Sequence, residues 1–258
     1  MDLVNMVFAG LYSIREGFKM ASMMQSRREQ RMIYNPEDTL LDDRTYNMAL
    51  GGSVLYGLIL NIIICVTLGN RLTFAVYKNP LVAIYLLIGY VVCALVGVFM
   101  SSRSKSPVVS FIGYNLVCVP LGLVLSLTVS AYVRAGAGDI VLQAIAYTAI
   151  SAGCMIVLSI AFPDFFSGLG KILFGSLLGL LVAGIISALF FPGAYNIITW
   201  IGALIFALYI GYDYWRAQQF PKTLDNAIDC SLDIYLDIIN LFIRILRILG
   251  SRGSSRRK

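Results

Sequence analysis

The chain has 258 residues, a formal net charge of +6, 59% hydrophobic residues and only 13% charged ones. No ordinary soluble domain of this length is so poor in charge, so the composition reads as an integral membrane protein. The absence of histidine excludes Ser-His and Cys-His nucleophilic pairs, zinc-protease motifs and imidazole proton relays, which leaves carboxylates for any proton chemistry. Basic residues gather in connections and tails, at Arg27, Arg28 and Arg31 and again at Arg252, Arg256, Arg257 and Lys258. No aromatic residues interleave with them, so nucleic acid is not an expected partner; topology and anionic lipid headgroups are their expected meaning.

Residues 1–47 form a mixed leader. An apolar-leaning stretch (Leu3, Met6, Val7, Leu11, Ile14, Phe18) precedes a polar run from Gln25 to Arg31 and then Asn35-Pro36-Glu37-Asp38. It lacks the pattern of a cleaved signal peptide and is expected to be cytoplasmic or to lie at the membrane surface. Long uncharged runs then predict spans at Met48 to Gly69, Pro80 to Ser101, Pro107 to Val133, Ile140 to Phe162, Ile172 to Phe191 and Ala194 to Tyr212, each near or beyond the roughly 20 residues that cross a bilayer. Pro120 predicts a kink in the third span. Gly175, Gly179 and Ala183, four residues apart in the fifth, predict a ridge of small residues for close helix packing. Pro192-Gly193 marks a tight hairpin between the fifth and sixth. Cys65, Cys93, Cys118, Cys154 and Cys230 all lie in apolar stretches without metal-ligand spacing and read as packing residues.

The seventh segment, Asp225 to Leu249, differs from the others. Asp229, Asp233, Asp237, Asn240, Arg244 and Arg247 recur at steps of three and four, so they form one polar stripe along a helix. A charge near the bilayer centre costs roughly 2.5–3.5 kcal/mol on insertion scales, so this face must be covered by other helices or by trapped water. The opposite face, with Ile228, Leu232, Leu236, Ile239, Ile243 and Leu246, supplies apolar contacts. The expected fold is therefore an all-α integral membrane protein, a seven-helix bundle with six apolar helices around a polar-striped central C-terminal helix. The membrane domain spans residues 48–250 and a basic tail follows at 251–258.

Charge bias places Arg103, Lys105, Lys171, Arg216 and Lys222 on one side and Arg71, Lys78 and Arg134 on the other. This favours a cytoplasmic N-terminus, in a multi-pass protein of the plasma membrane. A seventh full crossing would send the basic tail outside, against the same rule. Either the last helix is short or re-entrant, or bundle packing outweighs charge bias.

Asp213 ends the otherwise almost uncharged run from Ile172, and Asp237 sits near the middle of the striped helix. If the sixth and seventh helices pack as antiparallel neighbours, a carboxylate before the connection can approach one after it. Two carboxylates held together at low dielectric tend to share a proton and titrate as a pair. Deprotonated, the same oxygens suit a hard cation such as calcium. The alternative reading of Asp237 is a fixed ion pair with Arg244 or Arg103.

Tyr212-Asp213, followed by Tyr235-Leu236-Asp237-Ile238-Ile239-Asn240-Leu241-Phe242 and then Leu246-Arg247, resembles the C-terminal signature of the Bax inhibitor family in its bacterial form. The resemblance is specific over Gly211 to Gly250 and extends loosely over Met48 to Gly250. It implies six helices around a central seventh, and a pH-sensitive calcium leak governed by an aspartate pair corresponding to Asp213 and Asp237. Arg103 is the nearest equivalent of an arginine that, in bacterial relatives, latches onto the first aspartate from the end of the second helix; Lys105 could substitute. Asp229 and Asp233 have no such counterpart, and either form an acidic vestibule or cap the start of the helix.

An intramembrane aspartyl protease is the enzymatic alternative, suggested by Tyr212-Asp213 and Gly136-Ala137-Gly138-Asp139. The motif order is reversed and a Pro-Ala-Leu motif is missing, so no enzyme is expected and Gly136 to Asp139 reads as a turn entering a helix. Two other readings stay open: a modulator or binding partner of another membrane protein, such as a membrane-bound protease, and a calcium/proton exchanger. The expected partners are calcium ions, protons, the lipid bilayer and other membrane proteins. Calcium is expected as a permeant or transient ligand, with no tightly bound cofactor.

Overall fold

The computed structural model describes residues 39–256 apart from Lys105 and residues 192–194. The leader up to residue 38 and the Pro192-Gly193 hairpin lie outside the described residues. Eight helices are described: α1 (Asp43–Lys78), α2 (Leu81–Arg103), α3 (Pro107–Arg134), α4 (Gly138–Ala161), α5 (Pro163–Ser167), α6 (Gly170–Phe190), α7 (Tyr195–Ala217) and α8 (Leu224–Arg256). Among the described residues, six are long and apolar enough to cross a membrane: α1, α2, α3, α4, α6 and α7.

Local chemistry sets the helix starts. Asp42 caps α1, its carboxylate accepting from the Thr45 N–H at 3.2 Å, and Pro107 and Pro163 begin α3 and α5, where a missing N–H is no loss. Gly136 adopts φ +72°, a left-handed turn that a side chain would strain, and α4 follows with Asp139 in its first turn. This is the turn expected of the Gly136 to Asp139 string. The hydrogen bond from Thr45 holds the Asp42 carboxyl below its ordinary value of 3.8. A lowered folded value means the cap is intact above the unfolded pKa and is lost as pH falls through the folded one. Amide exchange at Thr45 should therefore stay slow near pH 3.8 and accelerate only on further acidification.

α8 occupies the centre. It packs against α1, α3, α4 and α7, and from Asp225 to Leu246 both of its faces are wholly or partly covered. Ile228, Leu232, Ile239 and Leu246 enter the main core with Tyr114, Val117 and Leu125 of α3, while Asp225, Asp229 and Asp237 on the polar side are buried as well. At 33 residues and about 1.5 Å per residue, α8 is about 50 Å long. It is therefore neither short nor re-entrant, and the start of the tail emerges at the end opposite the α7–α8 connection. α1 turns one face to the core through Tyr46, Leu50, Val54, Gly57, Asn61 and Ile64, the three-and-four spacing of a helix stripe. α2 and α6 lie at the periphery, with Ile84, Leu87, Ile88 and Leu181 exposed on outer faces suited to lipid.

α3 runs from Pro107 to Arg134 with Pro120 inside it. Two features differ from expectation. The short helix α5 fills a connection where no element is expected; its Phe166 is buried against Gly211 of α7, where a Cβ would collide with the ring. The expected ridge on α6 makes no close helix contact at Gly175 or Gly179, where a Cβ would meet open space among the described residues. Close approach occurs instead between α2 and α3, where a Cβ on Gly97 would lie 2.5 Å from the Gly113 carbonyl oxygen and one on Gly113 2.6 Å from that of Gly97. None of the five cysteines forms a disulfide among the described residues; Cys118 and Cys230 are buried and Cys154 faces outward.

Candidate proton and cation site

The connection between α7 and α8 is fastened to the start of α1. Tyr46 donates to the Ala217 carbonyl at 2.7 Å, Gln218 Nε2 donates to Asn47 at 2.8 Å, and the Leu41 N–H donates to the Lys222 carbonyl at 2.7 Å. Lys222 also pairs with Asp43. Thr223 caps α8 by accepting from the Asn226 N–H at 3.1 Å. These bonds hold a tight antiparallel hairpin, and its register follows from the cores. Ile210 and Leu241 share one apolar cluster, and Ala217 and Ile234 share another. Asp213 lies midway between Ile210 and Ala217 and Asp237 midway between Ile234 and Leu241, so the two residues fall at about the same level of adjoining helices. Each is 8% exposed.

Asp213 meets a cation on its own helix. Arg216, one turn later, approaches Asp213 Oδ1 with Nη1 at 3.4 Å and is 8% exposed. Its guanidinium lies 6.0 Å from the Tyr212 ring centre and 5.4 Å from that of Phe220, a setting in which the aromatic faces offset part of its desolvation. Among the described residues its Nη2 has no hydrogen-bond partner. In the sequence, charge bias alone singles out Arg216; its i,i+3 spacing from Asp213 is the signal that points to the pair. Arg103 ends α2, but its side chain and Lys105 lie outside the described residues.

The start of α8 is tied to α2 and α3 through serines. Ser101 donates to Asp229 and Ser110 donates to Asp225 at 2.6 Å. The N-terminal cap belongs to Thr223, and Asp229 lies beyond the first turn, buried, with Asp233 next along the stripe and only partly buried. Because Gly97 and Ser101 occupy one face of α2, the close glycine contact with α3 also sets the position of the Ser101 hydroxyl. A hydrogen bond to a charged acceptor contributes about 1.5–3 kcal/mol. Ser101→Ala should lower unfolding stability in detergent by about that amount, and a melting temperature equal to wild type would show that the bond contributes nothing.

Deeper in the core, Asn61 of α1 donates to the Tyr235 hydroxyl, and the Tyr114 ring lies 5.7 Å from that of Tyr235 while its hydroxyl donates to the Ser53 carbonyl at 2.7 Å. An asparagine inside an uncharged span is itself a signal of such a junction. Further along α8, Arg244 lies against α7, 5.1 Å from the centre of the Phe206 ring and within 3.4 Å of the Ile198 carbonyl oxygen. Gly202 makes this possible, because a Cβ there would collide with the guanidinium.

Residues 41–254 match the family described as "Inhibitor of apoptosis-promoting Bax1". A BI1-like protein of Arabidopsis thaliana is 38% identical over 143 residues, covering 52% of this chain and 55% of the relative. An uncharacterized protein of Helicobacter pylori is 36% identical over 119 residues, 45% of this chain and 50% of the relative. An uncharacterized membrane protein of Streptococcus pyogenes is 31% identical over 136 residues, 50% and 58% respectively. The chain thus spans about half the length of the curated relatives it matches. With most of its length inside the matched family region, the chain belongs to the Bax inhibitor family.

Proposed function

We propose that the protein is a pH-sensitive calcium leak controlled by Asp213 and Asp237. The observation that carries this reading is the placement of two buried aspartates at about the same level of adjoining helices in the interior of a membrane bundle. Intramembrane ionisable groups are expensive to keep unless they serve a pathway or a switch. Carboxylate oxygens match the preference of calcium for hard ligands, and the family resemblance points to the same ion.

In the resting arrangement the ionised Asp213 neutralises the buried Arg216 guanidinium on α7, so that α7 can pack closed against α8 and Asp237. Protonation of Asp213 removes the charge that Arg216 faces. The guanidinium is then left buried beside α8 without its anion, which disfavours the closed packing, and the population shifts toward an open path. The leak therefore rises as pH falls. Purified protein in calcium-loaded vesicles tests this directly: trapped calcium should escape down its gradient, faster at pH 6 than at pH 8. Retention of calcium at every pH would refute the leak, and accumulation against a gradient would make the protein an exchanger.

A further inference from the structure

The end of the bundle remote from the aspartates holds a cavity of about 250 Å³ between α3, α7 and α8, lined by Tyr132, Asn196, Thr199, Trp200, Arg247, Ile248 and Ser251. Among the described residues its lining combines one cation, three hydroxyls and an amide, and no carboxylate. The N-terminal part of α7, through Asn196 and Thr199, forms one wall, so the positive end of a 23-residue helix lies beside the same space as Arg247. The opposite wall is built by close fit: a Cβ on Gly250 would lie 2.6 Å from the Tyr132 ring and hydroxyl, so the glycine lets that ring lie flat against α8. Arg247 is exposed rather than sunk in the core.

The volume falls just below the roughly 300–1,000 Å³ of sites that enclose drug-sized ligands and accommodates a phosphate with a small polar substituent. Trp200, 52% exposed, stands at the mouth, and Ile197, Ile201 and Leu204 continue down the same face of α7 at 65%, 50% and 64% exposure. This is an outward apolar track leading from a cationic cavity at the end of the bundle. Tryptophan favours that level of a bilayer, and basic pockets between membrane helices suit anionic headgroups.

We infer that this cavity binds the phosphate of an anionic phospholipid, with Arg247 and the start of α7 holding the headgroup and the acyl chain lying along Ile197, Ile201 and Leu204. The inference is independent of the aspartate site, which lies toward the other end of α8. Arg256, Arg257 and Lys258 of the tail add charge at the same end of the sequence. They provide the control that separates a formed site from general attraction.

The test is thermal unfolding of the purified chain in neutral detergent, titrated with phosphatidylglycerol, phosphatidylcholine or glycerol phosphate. Phosphatidylglycerol should raise the melting temperature saturably, phosphatidylcholine should not, and Arg247→Gln should weaken the apparent affinity about ten-fold. Replacing Arg256, Arg257 and Lys258 together by Gln removes more charge but should weaken it less. Equal effects of the two lipids, an Arg247→Gln titration that overlays wild type, or a greater loss in the triple variant would each overturn the proposal. Stabilisation by glycerol phosphate equal to that by the lipid would overturn the lipid assignment and leave a free-anion site.

Discussion

Asp213→Asn should flatten the pH response of calcium release. Where wild-type protein in vesicles changes its leak by about ten-fold or more between pH 8 and pH 6, the variant should change by less than about two-fold, because one pKa unit of differential stabilisation corresponds to about 1.4 kcal/mol, a factor of ten. Asp237→Asn should also blunt the response, since it removes the other carboxylate of the pair. Arg216→Gln should open the leak at a higher pH, because the carboxylate loses the cation that favours its charged form. These variants carry a stability effect that must be separated from gating. Asparagine at Asp213 leaves the Arg216 guanidinium buried without its anion, and breaking a buried pair from one side is destabilising by about 3 kcal/mol. The double variant Asp213→Asn, Arg216→Gln should recover much of that loss while remaining insensitive to pH. A full pH response in Asp213→Asn would refute the site.

Gly97→Ala should destabilise the bundle by about 1–3 kcal/mol, the usual range for forcing a methyl group into a filled contact. The obstacle is the backbone carbonyl of Gly113 at 2.5 Å, which cannot swing aside as the tip of a long side chain can. The helices must separate, and Ser101, one turn along α2, is then drawn from Asp229. Gly97→Ala should consequently reproduce the Ser101→Ala effect in addition to its own. Gly175→Ala is the matched control: it enters open space on α6 and should be neutral or stabilising by about 0.5–1 kcal/mol through helix propensity. Thermal melts of both variants in the same detergent decide the matter. Equal stability of the two would mean that the close approach of α2 and α3 is not a constraint.

Much of the architecture was legible because membrane burial writes itself into composition. Uncharged runs of span length located α1 to α4, α6 and α7, and the three-and-four spacing of Asp229, Asp233 and Asp237 marked α8 as a helix that needs cover on its polar side. The short helix α5 escaped notice because five residues carry no periodicity, and its role depends on Phe166 meeting Gly211. The small-residue ridge misled for a related reason. Gly175, Gly179 and Ala183 have the spacing of a packing face, but Gly97 and Gly113 make the contact, and spacing alone does not say which partner arrives. Arg216 was visible one turn from Asp213, yet its role as that residue's cation rested on rotamer and burial.

The sequence by itself determined the helical class, the membrane setting and the buried polar edge of the last helix, because each follows from local pattern and from the high cost of charge in hydrocarbon. Only the tertiary structure decided the register of α7 against α8, the serine contacts to Asp225 and Asp229, and the cavity around Arg247. These depend on which side chains from distant segments arrive at one place, and a one-dimensional pattern constrains that only weakly.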